Sequence, residues 1–480
     1  MATFPSTVSA DPEVTSKGAG PGPFEDGVNR YLVLINNNPF PSTLAVYKST
    51  DFGVTWVEQD AADEPSTSNG FPTKYWATQD KAHRILYIAH WDLDDNLILE
   101  QYDITTDTWG SPITSSINCA TSGVTGSGDV VCQYRPATND VLAVFADHTA
   151  SIIPFGNFGR TAFAVCNLAS WSATTDCGLT TDTSSDLYSW FPMGIVLDTA
   201  NNANVFYQGY SNATPPSSFP QQLQQQQITS GLGINPLQLI DSYVNNQEII
   251  AQFFISVTIG DDNTIKLAYA AFDNTEGDIS STQITYSQGT AGVAITFVTA
   301  TLTVGDSSDF IVGAGTGVSV AYRSELTATF VSWVTVNGDT GVFTFGYQQT
   351  IGSTTTTATL GITDNNISGL TSAVFASNMG AYVIAAPGTQ YYYELGNIGP
   401  PTPPTVIVSL QATGGYKPYF PVYNCHDCYL QVQQLIWDQL VCKGLRTYSE
   451  VNRKPVDCYQ RLPFAVSGRP RVQKRQERIF

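Results

Sequence analysis

Between residues 24 and 399 the apolar side chains come in runs of about four to six, too short for helices and closed by turn residues. The run 31–35 ends at Asn36, Asn37 and Asn38; 43–47 ends at Ser49, Thr50 and Asp51; 84–89 is followed by Asp92. The runs 97–102, 141–145, 204–207, 265–269, 318–322 and 328–333 read the same way. Short strands at hairpin spacing, with no competing helical period, predict an all-β architecture. The strands group into units at 24–67, 74–118, 123–180, 188–242, 248–304, 308–362 and 367–399, about four strands to each. That is the content of propeller blades, so a six- or seven-bladed β-propeller is expected. The last unit is short, and an N-terminal strand is expected to complete it. Residues 1–23 otherwise read as an N-terminal arm. The glutamine-rich run 221–227, which follows Pro215 and Pro216, reads as a solvated loop.

The pattern changes after residue 399. Residues 400–405 form a Pro-rich linker. Residues 406–480 read as a small, α-containing, cysteine-rich domain. Cys428, Val432, Leu435, Ile436 and Leu440 fall at helical spacing, and Gly444 suits a helix end, which predicts a helix over 427–443.

Charge separates the same two regions. Only 13% of residues are charged, against about 25% in ordinary globular domains. Residues 406–480 hold 11 Lys+Arg against 5 Asp+Glu, a net of +6, and residues 1–405 hold 10 against 36, a net of −26. Such a body repels nucleic acid, and such a tail seeks an anionic neighbour. The weakly charged, Ser/Thr/Asn-rich composition is that of an extracellular or virion surface. The start lacks the basic and apolar segments of an export signal, and no run reaches the roughly 20 apolar residues of a membrane span. A phage protein, released by lysis, satisfies both observations.

Residues 49–56 read Ser-Thr-Asp-Phe-Gly-Val-Thr-Trp. Ser49 and Asp51 can bond the turn backbone, Gly53 permits an unusual backbone angle, Thr55 follows, and Trp56 supplies a ring to pack. The segment resembles the Asp-box repeat of sialidase-like propellers. The resemblance implies a structural hairpin remote from any catalytic face. Sialidase chemistry would require three converging arginines, a Tyr–Glu pair and an acidic proton donor. The propeller region offers Arg30, Arg84, Arg135, Arg160 and Arg323. It has no Phe-Arg-Ile-Pro-like entry motif, so no catalytic residue is assigned.

Other residues carry alternative readings. Asp92, Asp94 and Asn96 suit a calcium loop or a hairpin turn. Cys119, Cys132, Cys166 and Cys177 fall in or beside the third unit and can staple it with two disulfides. Cys425, Cys428, Cys442 and Cys458 suit disulfides, separate thiols or zinc. A helix would hold Cys428 and Cys442 about 21 Å apart, which disfavours one shared metal. Arg469, Arg471, Lys474, Arg475 and Arg478 form a basic tail, read as an anchor.

The expected function is a virion structural protein, a phage tail or tail-tip component serving host attachment or assembly. Its expected partners are other virion proteins, met through the C-terminal domain, a second copy of itself, and a host-surface glycan or protein. The alternative is an extracellular carbohydrate-active propeller, either a sialidase-like hydrolase or a glycan-binding lectin.

Overall fold

The computed structural model describes residues 3–9, 14–15, 22–27, 29–36, 42–66 apart from 52, 75–118 apart from 93 and 95, 130–147, 160–177, 191–210, 219–245, 254–273, 281–305, 309–310, 318–337, 343–362, 367–374, 378–385 and 389–397. The chain divides into two units, Met1–Asn397 and Ile398–Phe480. The expected linker, the expected helix and the whole C-terminal domain lie outside the described residues.

Among the described residues the strands form seven antiparallel sheets of four or five strands, each a blade. The first strand, β1 (Thr3–Ser9), belongs to the last blade. Blade 1 holds β2 (Val14–Thr15), β3 (Phe24–Asp26), β4 (Asn29–Asn36), β5 (Thr43–Ser49) and β6 (Val57–Gln59). Blade 2 holds β7 (Tyr75–Asp80), β8 (Ile85–Trp91), β9 (Asn96–Asp103), β10 (Thr108–Trp109) and β11 (Ile113–Asn118). Blade 3 holds β12 (Val130–Arg135), β13 (Asp140–Asp147), β14 (Arg160–Cys166) and β15 (Thr175–Asp176). Blade 4 holds β16 (Phe191–Leu197), β17 (Ala203–Tyr210), β18 (Phe219–Ile228) and β19 (Gln238–Asn245). Blade 5 holds β20 (Phe254–Ile259), β21 (Thr264–Asp273), β22 (Ser281–Thr290) and β23 (Val298–Gly305). Blade 6 holds β24 (Asp309–Phe310), β25 (Val318–Arg323), β26 (Ala328–Asn337), β27 (Phe343–Ile351) and β28 (Thr354–Ile362). Blade 7 holds β29 (Ile367–Val374), β30 (Asn378–Ala385), β31 (Thr389–Asn397) and the returning β1. The expected units thus correspond to blades, and the count among the described residues is seven.

Blade 7 is closed by the two ends of the propeller. Strand β1 pairs antiparallel with β31, Thr7 opposite Tyr391 and Ser9 opposite Gln390. Residues 3–9 are therefore a structural strand rather than an arm.

Where side chains are described, in blades 1 to 6, the blades bury both faces against their neighbours, so the strands are apolar on both sides. In β4 every residue from Arg30 to Ile35 is buried. Alternate side chains serve different interfaces. Tyr31, Val33 and Ile35 join Leu86, Ile88 and Tyr102 between blades 1 and 2. Tyr87, Ala89 and Trp91 join Tyr134 and Phe145 between blades 2 and 3. There Tyr87 stacks on Tyr134 with centroids 5.4 Å apart, and Trp91 meets Phe145 edge-on at 5.6 Å. Further clusters join blade 4 to blade 5 and blade 5 to blade 6. A lysine completes the last joint. Lys266 of β21 is buried beneath the Tyr322 ring of β25, 4.7 Å from its centroid, and donates to Gln288 at 2.5 Å.

The glutamine-rich run is a strand, not a loop. Gln224, Gln225, Gln226 and Gln227 are buried within β18. The stems pack between blades while the amides find partners. Gln226 donates to the Cys177 carbonyl at 3.0 Å, and Gln225 to Asn204 Oδ1 at 3.1 Å. Gln227 accepts from Asn235 at 3.0 Å.

A close approach within a blade occurs at Gly346 of β27, opposite Trp333 of β26. The buried indole lies over the glycine, and a Cβ there would overlap Trp333 Nε1 and Cε2. Gly346→Ala is expected to lower unfolding free energy by about 1–3 kcal/mol, the usual cost of overpacking. Denaturant titration followed by Trp fluorescence checks this; an unchanged midpoint would place the indole elsewhere.

Candidate functional site

Antiparallel strand order gives the ring two chemically different ends. At one end lie the short turns between the first and second, and third and fourth, strands of blades 1 to 6, which are described apart from residues 28 and 52. From the opposite end leave the blade-to-blade crossovers and the turns joining second and third strands. Most of those segments, including 67–74, 119–129, 148–159, 178–190 and 211–218, lie outside the described residues.

The turn end carries the densest charge cluster. Strand β3 places Glu25 and Asp26 side by side before the hairpin to β4. Arg323, at the end of β25 in blade 6, donates to Glu25 Oε1 at 2.5 Å. Arg30, which is buried, approaches Glu25 Oε2 at 3.9 Å and donates to the Gly27 and Asn29 carbonyls at 2.9 and 3.2 Å. Arg84, on the first turn of blade 2, pairs with Asp26. Gln79 of β7 donates to the Glu25 carbonyl at 2.9 Å. Three of the five arginines singled out in the sequence therefore converge, but on carboxylates of the chain itself. With Glu325 3.5 Å from Arg323, three guanidiniums face three carboxylates. That balance makes a clasp between blades, not a grip for a substrate anion. Arg135 is elsewhere, held bidentately by Asp140 at 2.6 and 2.7 Å and reaching the Ser230 carbonyl at 3.3 Å. For Arg160 only the backbone, on β14, is described.

The residues of the Asp-box-like segment build a self-contained turn. Ser49 Oγ accepts from the Gly53 amide at 2.7 Å and donates to Asp51 Oδ1 at 2.8 Å. Asp51 accepts from the Thr55 amide at 2.8 Å and the Thr55 hydroxyl at 2.7 Å. Gly53 takes φ +92, which other residues resist. Trp56 is buried and donates to the Gly53 carbonyl at 3.0 Å. Burial opposes ionisation of Asp51, but the Thr55 and Ser49 hydrogen bonds outweigh it and hold the carboxyl below its ordinary range. The turn has structural chemistry and no exposed catalytic group.

Near the loop end, Asp92 turns its carboxylate on its own hairpin. Oδ1 accepts from the Asp94 and Asn96 amides at 2.9 and 2.8 Å, and Oδ2 from the Asn96 side chain at 3.3 Å. Asp198 and Asn202 make the same arrangement in blade 4. No group of three or more metal-ligating side chains lies together among the described residues. His90 and Glu100 meet at 3.3 Å, His90 also bonding the Trp91 carbonyl at 3.0 Å, but both are buried between blades 1 and 2 and out of reach of substrate. A pair the sequence did not flag, Glu58 and Glu64, lies on the outer part of blade 1. Burial, then Glu58 beside it, push the Glu64 carboxyl up to about 8. Its signal was only two glutamates flanking the acidic stretch 60–63.

Cys132, Cys166 and Cys177 are buried free thiols, which corrects the expected disulfide staple. They serve different interfaces. Cys132 faces the Trp76 carbonyl of blade 2 at 3.3 Å, and Cys177 lies against Tyr207 of blade 4. Burial pushes the Cys166 thiol up to about 11 and the other two up to about 12, so none is a ready nucleophile. Cys119, Cys425, Cys428, Cys442, Cys458 and the basic tail residues lie outside the described residues.

No family model matches the sequence, and no curated protein matches it. Solved structures do resemble the fold. An ulvan lyase, described as a new polysaccharide lyase family, aligns with a TM-score of 0.50 at 8% identity, covering 82% of this chain and 94% of its own. The α-L-arabinanase of Penicillium chrysogenum, complexed with arabinobiose, aligns at TM-score 0.40 and 13% identity, covering 83% and 99%. An α-L-arabinofuranosidase of Fusarium graminearum, also with arabinobiose, aligns at 0.40 and 11%, covering 83% and 98%. At these identities the likeness concerns the fold alone. Nothing in it supports the sialidase resemblance or a phage origin.

Glu25→Gln removes one charge from the clasp while keeping its shape. The change is expected to lower unfolding free energy by about 1–3 kcal/mol, because Arg323 loses a charge-assisted acceptor and Arg30 a neighbouring countercharge. Adding Arg323→Gln should cost less than its effect alone, a coupling that a double-mutant cycle measures. Strict additivity would mean that the two side chains do not interact.

Proposed function

We propose that the propeller recognises a polysaccharide, by residues at the loop end of the ring. The observation that carries this reading is the whole-ring likeness to a polysaccharide lyase, at TM-score 0.50 over 82% of the chain. The sequence of the loop-end segments supports it. Residues 148–159, 178–190 and 211–218 are rich in Ser, Thr, Asn, Asp and Gly, with Phe155, Phe158, Tyr188 and Trp190 among them. Hydroxyl, amide and aromatic groups together suit sugar rings, which offer both hydroxyls and apolar faces. The body's net charge of −26 favours a neutral or cationic glycan over a polyanion. The reading is of recognition rather than hydrolysis. Among the described residues the carboxyls of Glu58 and Glu64 lie side by side, whereas glycosidase carboxyl pairs stand about 5–9.5 Å apart.

A second reading places the same ring on a virion, as a phage tail or tail-tip protein that meets host-surface glycan. It draws on the polar, weakly charged composition and on the basic segment 406–480. Both readings require glycan binding at the same end.

Affinity electrophoresis through gels containing neutral, cationic or anionic polysaccharides tests the proposal. Retardation by a neutral or cationic glycan, lost when Tyr188 and Trp190 are both changed to Ala, is the expected result. Retardation by none of the three classes, or retardation unaffected by the double change, would overturn it.

A further inference from the structure

Beyond strand β6 the chain does not cross directly to blade 2. Asp60 takes a left-handed backbone, and Asp63 donates its amide back to the Asp60 carbonyl at 3.1 Å. The chain then returns along β5. The Leu44 amide donates to the Pro65 carbonyl at 2.9 Å, and Thr43 bridges to Ser66. Residues 60–66 thus form a strap that bulges out and rejoins the outer edge of blade 1 beside β5.

Glu64 ties the strap down. Its Oε2 accepts from the Thr43 hydroxyl at 2.6 Å. Glu58 of β6 accepts from the Tyr47 hydroxyl at 3.0 Å, and its carboxyl group lies beside that of Glu64. Glu64 Oε1 is buried with no protein donor in reach. A buried carboxylate oxygen without a donor is expensive. A proton on one of the two carboxyls removes the cost, since the protonated group then donates to its neighbour. Of the described titratable groups, Glu58 faces Glu64, and Tyr47 in turn faces Glu58. The nearby charges are turned to other tasks: Lys48 pairs with Asp107, Asp60 accepts from the Trp109 amide at 3.0 Å, and Asp63 is exposed. No described cation faces the pair to hold it doubly ionised.

We propose that Glu58 and Glu64 share one proton at neutral pH and that this proton latches the strap 60–66 to the outer edge of blade 1, so that alkaline pH unlatches it. With two negative carboxylates in contact, the Glu64–Glu58 bond becomes a repulsion. The strap then loosens. The direction follows from linkage. Glu64 ordinarily titrates near 4.5 and in the fold is pushed up to about 8 by burial and then by Glu58. Between these values the unfolded chain binds fewer protons than the folded one, so stability falls as pH rises through that window and levels off above it. The device does not depend on what the loop end binds.

Hydrogen–deuterium exchange of the full chain, read on peptides covering 41–48 and 60–66, tests the latch. After correction for the intrinsic pH dependence of exchange, protection of both peptides should fall at least about tenfold between about pH 6.5 and pH 9.5, while β8 and β9 hold theirs. Glu64→Gln, whose amide is a permanent donor to Glu58, should keep the protection at both pH values. Glu58→Gln should do the same from the other side. Wild-type protection that is equal at both pH values would overturn the proposal, as would Gln variants that lose protection with pH as the wild type does.

Discussion

The pairing of β1 with β31 is the interaction on which the ring depends. It joins residues 3–9 to residues 390–394, the two ends of the propeller region. A ring of blades held this way leaves no blade with a free inner or lateral face, so both faces of every central strand can be apolar. Without it, blade 7 would be a three-stranded sheet whose outer edge is unpaired. The clasp at the turn end works in the same direction, since Arg323 of blade 6 reaches Glu25 of blade 1. Closure across so much sequence also predicts slow folding, because the last contact to form must bring distant segments together.

The two ends of the ring divide the labour. At the turn end the polar groups are spent on the protein itself: Asp51 on its turn, Arg135 on Asp140, and Arg30, Arg84 and Arg323 on Glu25 and Asp26. Such groups are satisfied and fixed. They give the ring rigidity and leave little for a ligand to pair with. The opposite end carries the longer connections, where a fold of this kind varies without disturbing its core.

Much of this was legible in the sequence. Strand limits could be read because turn residues punctuate short apolar runs, as at Asn36 and at Asp92 with Asn96. The hairpin at Ser49–Trp56 was legible because its chemistry is local, every partner lying within a few residues. Non-local facts were not. Nothing in the spacing of Arg84 or Arg323 points to Asp26 and Glu25, which lie 58 and 298 positions away. A run of near-identical glutamines carries no alternation, so a buried strand looked like a loop. Cysteine spacing does not say which blade each thiol faces, so a staple was expected where Cys132 faces blade 2 and Cys177 faces blade 4.

Ring closure can be tested with a cross-link. Opposed residues of an antiparallel pair have Cα atoms about 4.5–5.5 Å apart, inside the window of about 4.4–6.8 Å that a disulfide requires. Thr7 and Tyr391 are such a pair. The variant Thr7→Cys with Tyr391→Cys should form a disulfide between these positions under mild oxidation, identified by mass spectrometry of its peptides. Closing so long a loop should raise unfolding free energy by about 3–5 kcal/mol over the reduced form. Cysteines at 7 and 391 that stay free under oxidation, in a variant that is folded, would contradict the closure of the ring by its first strand.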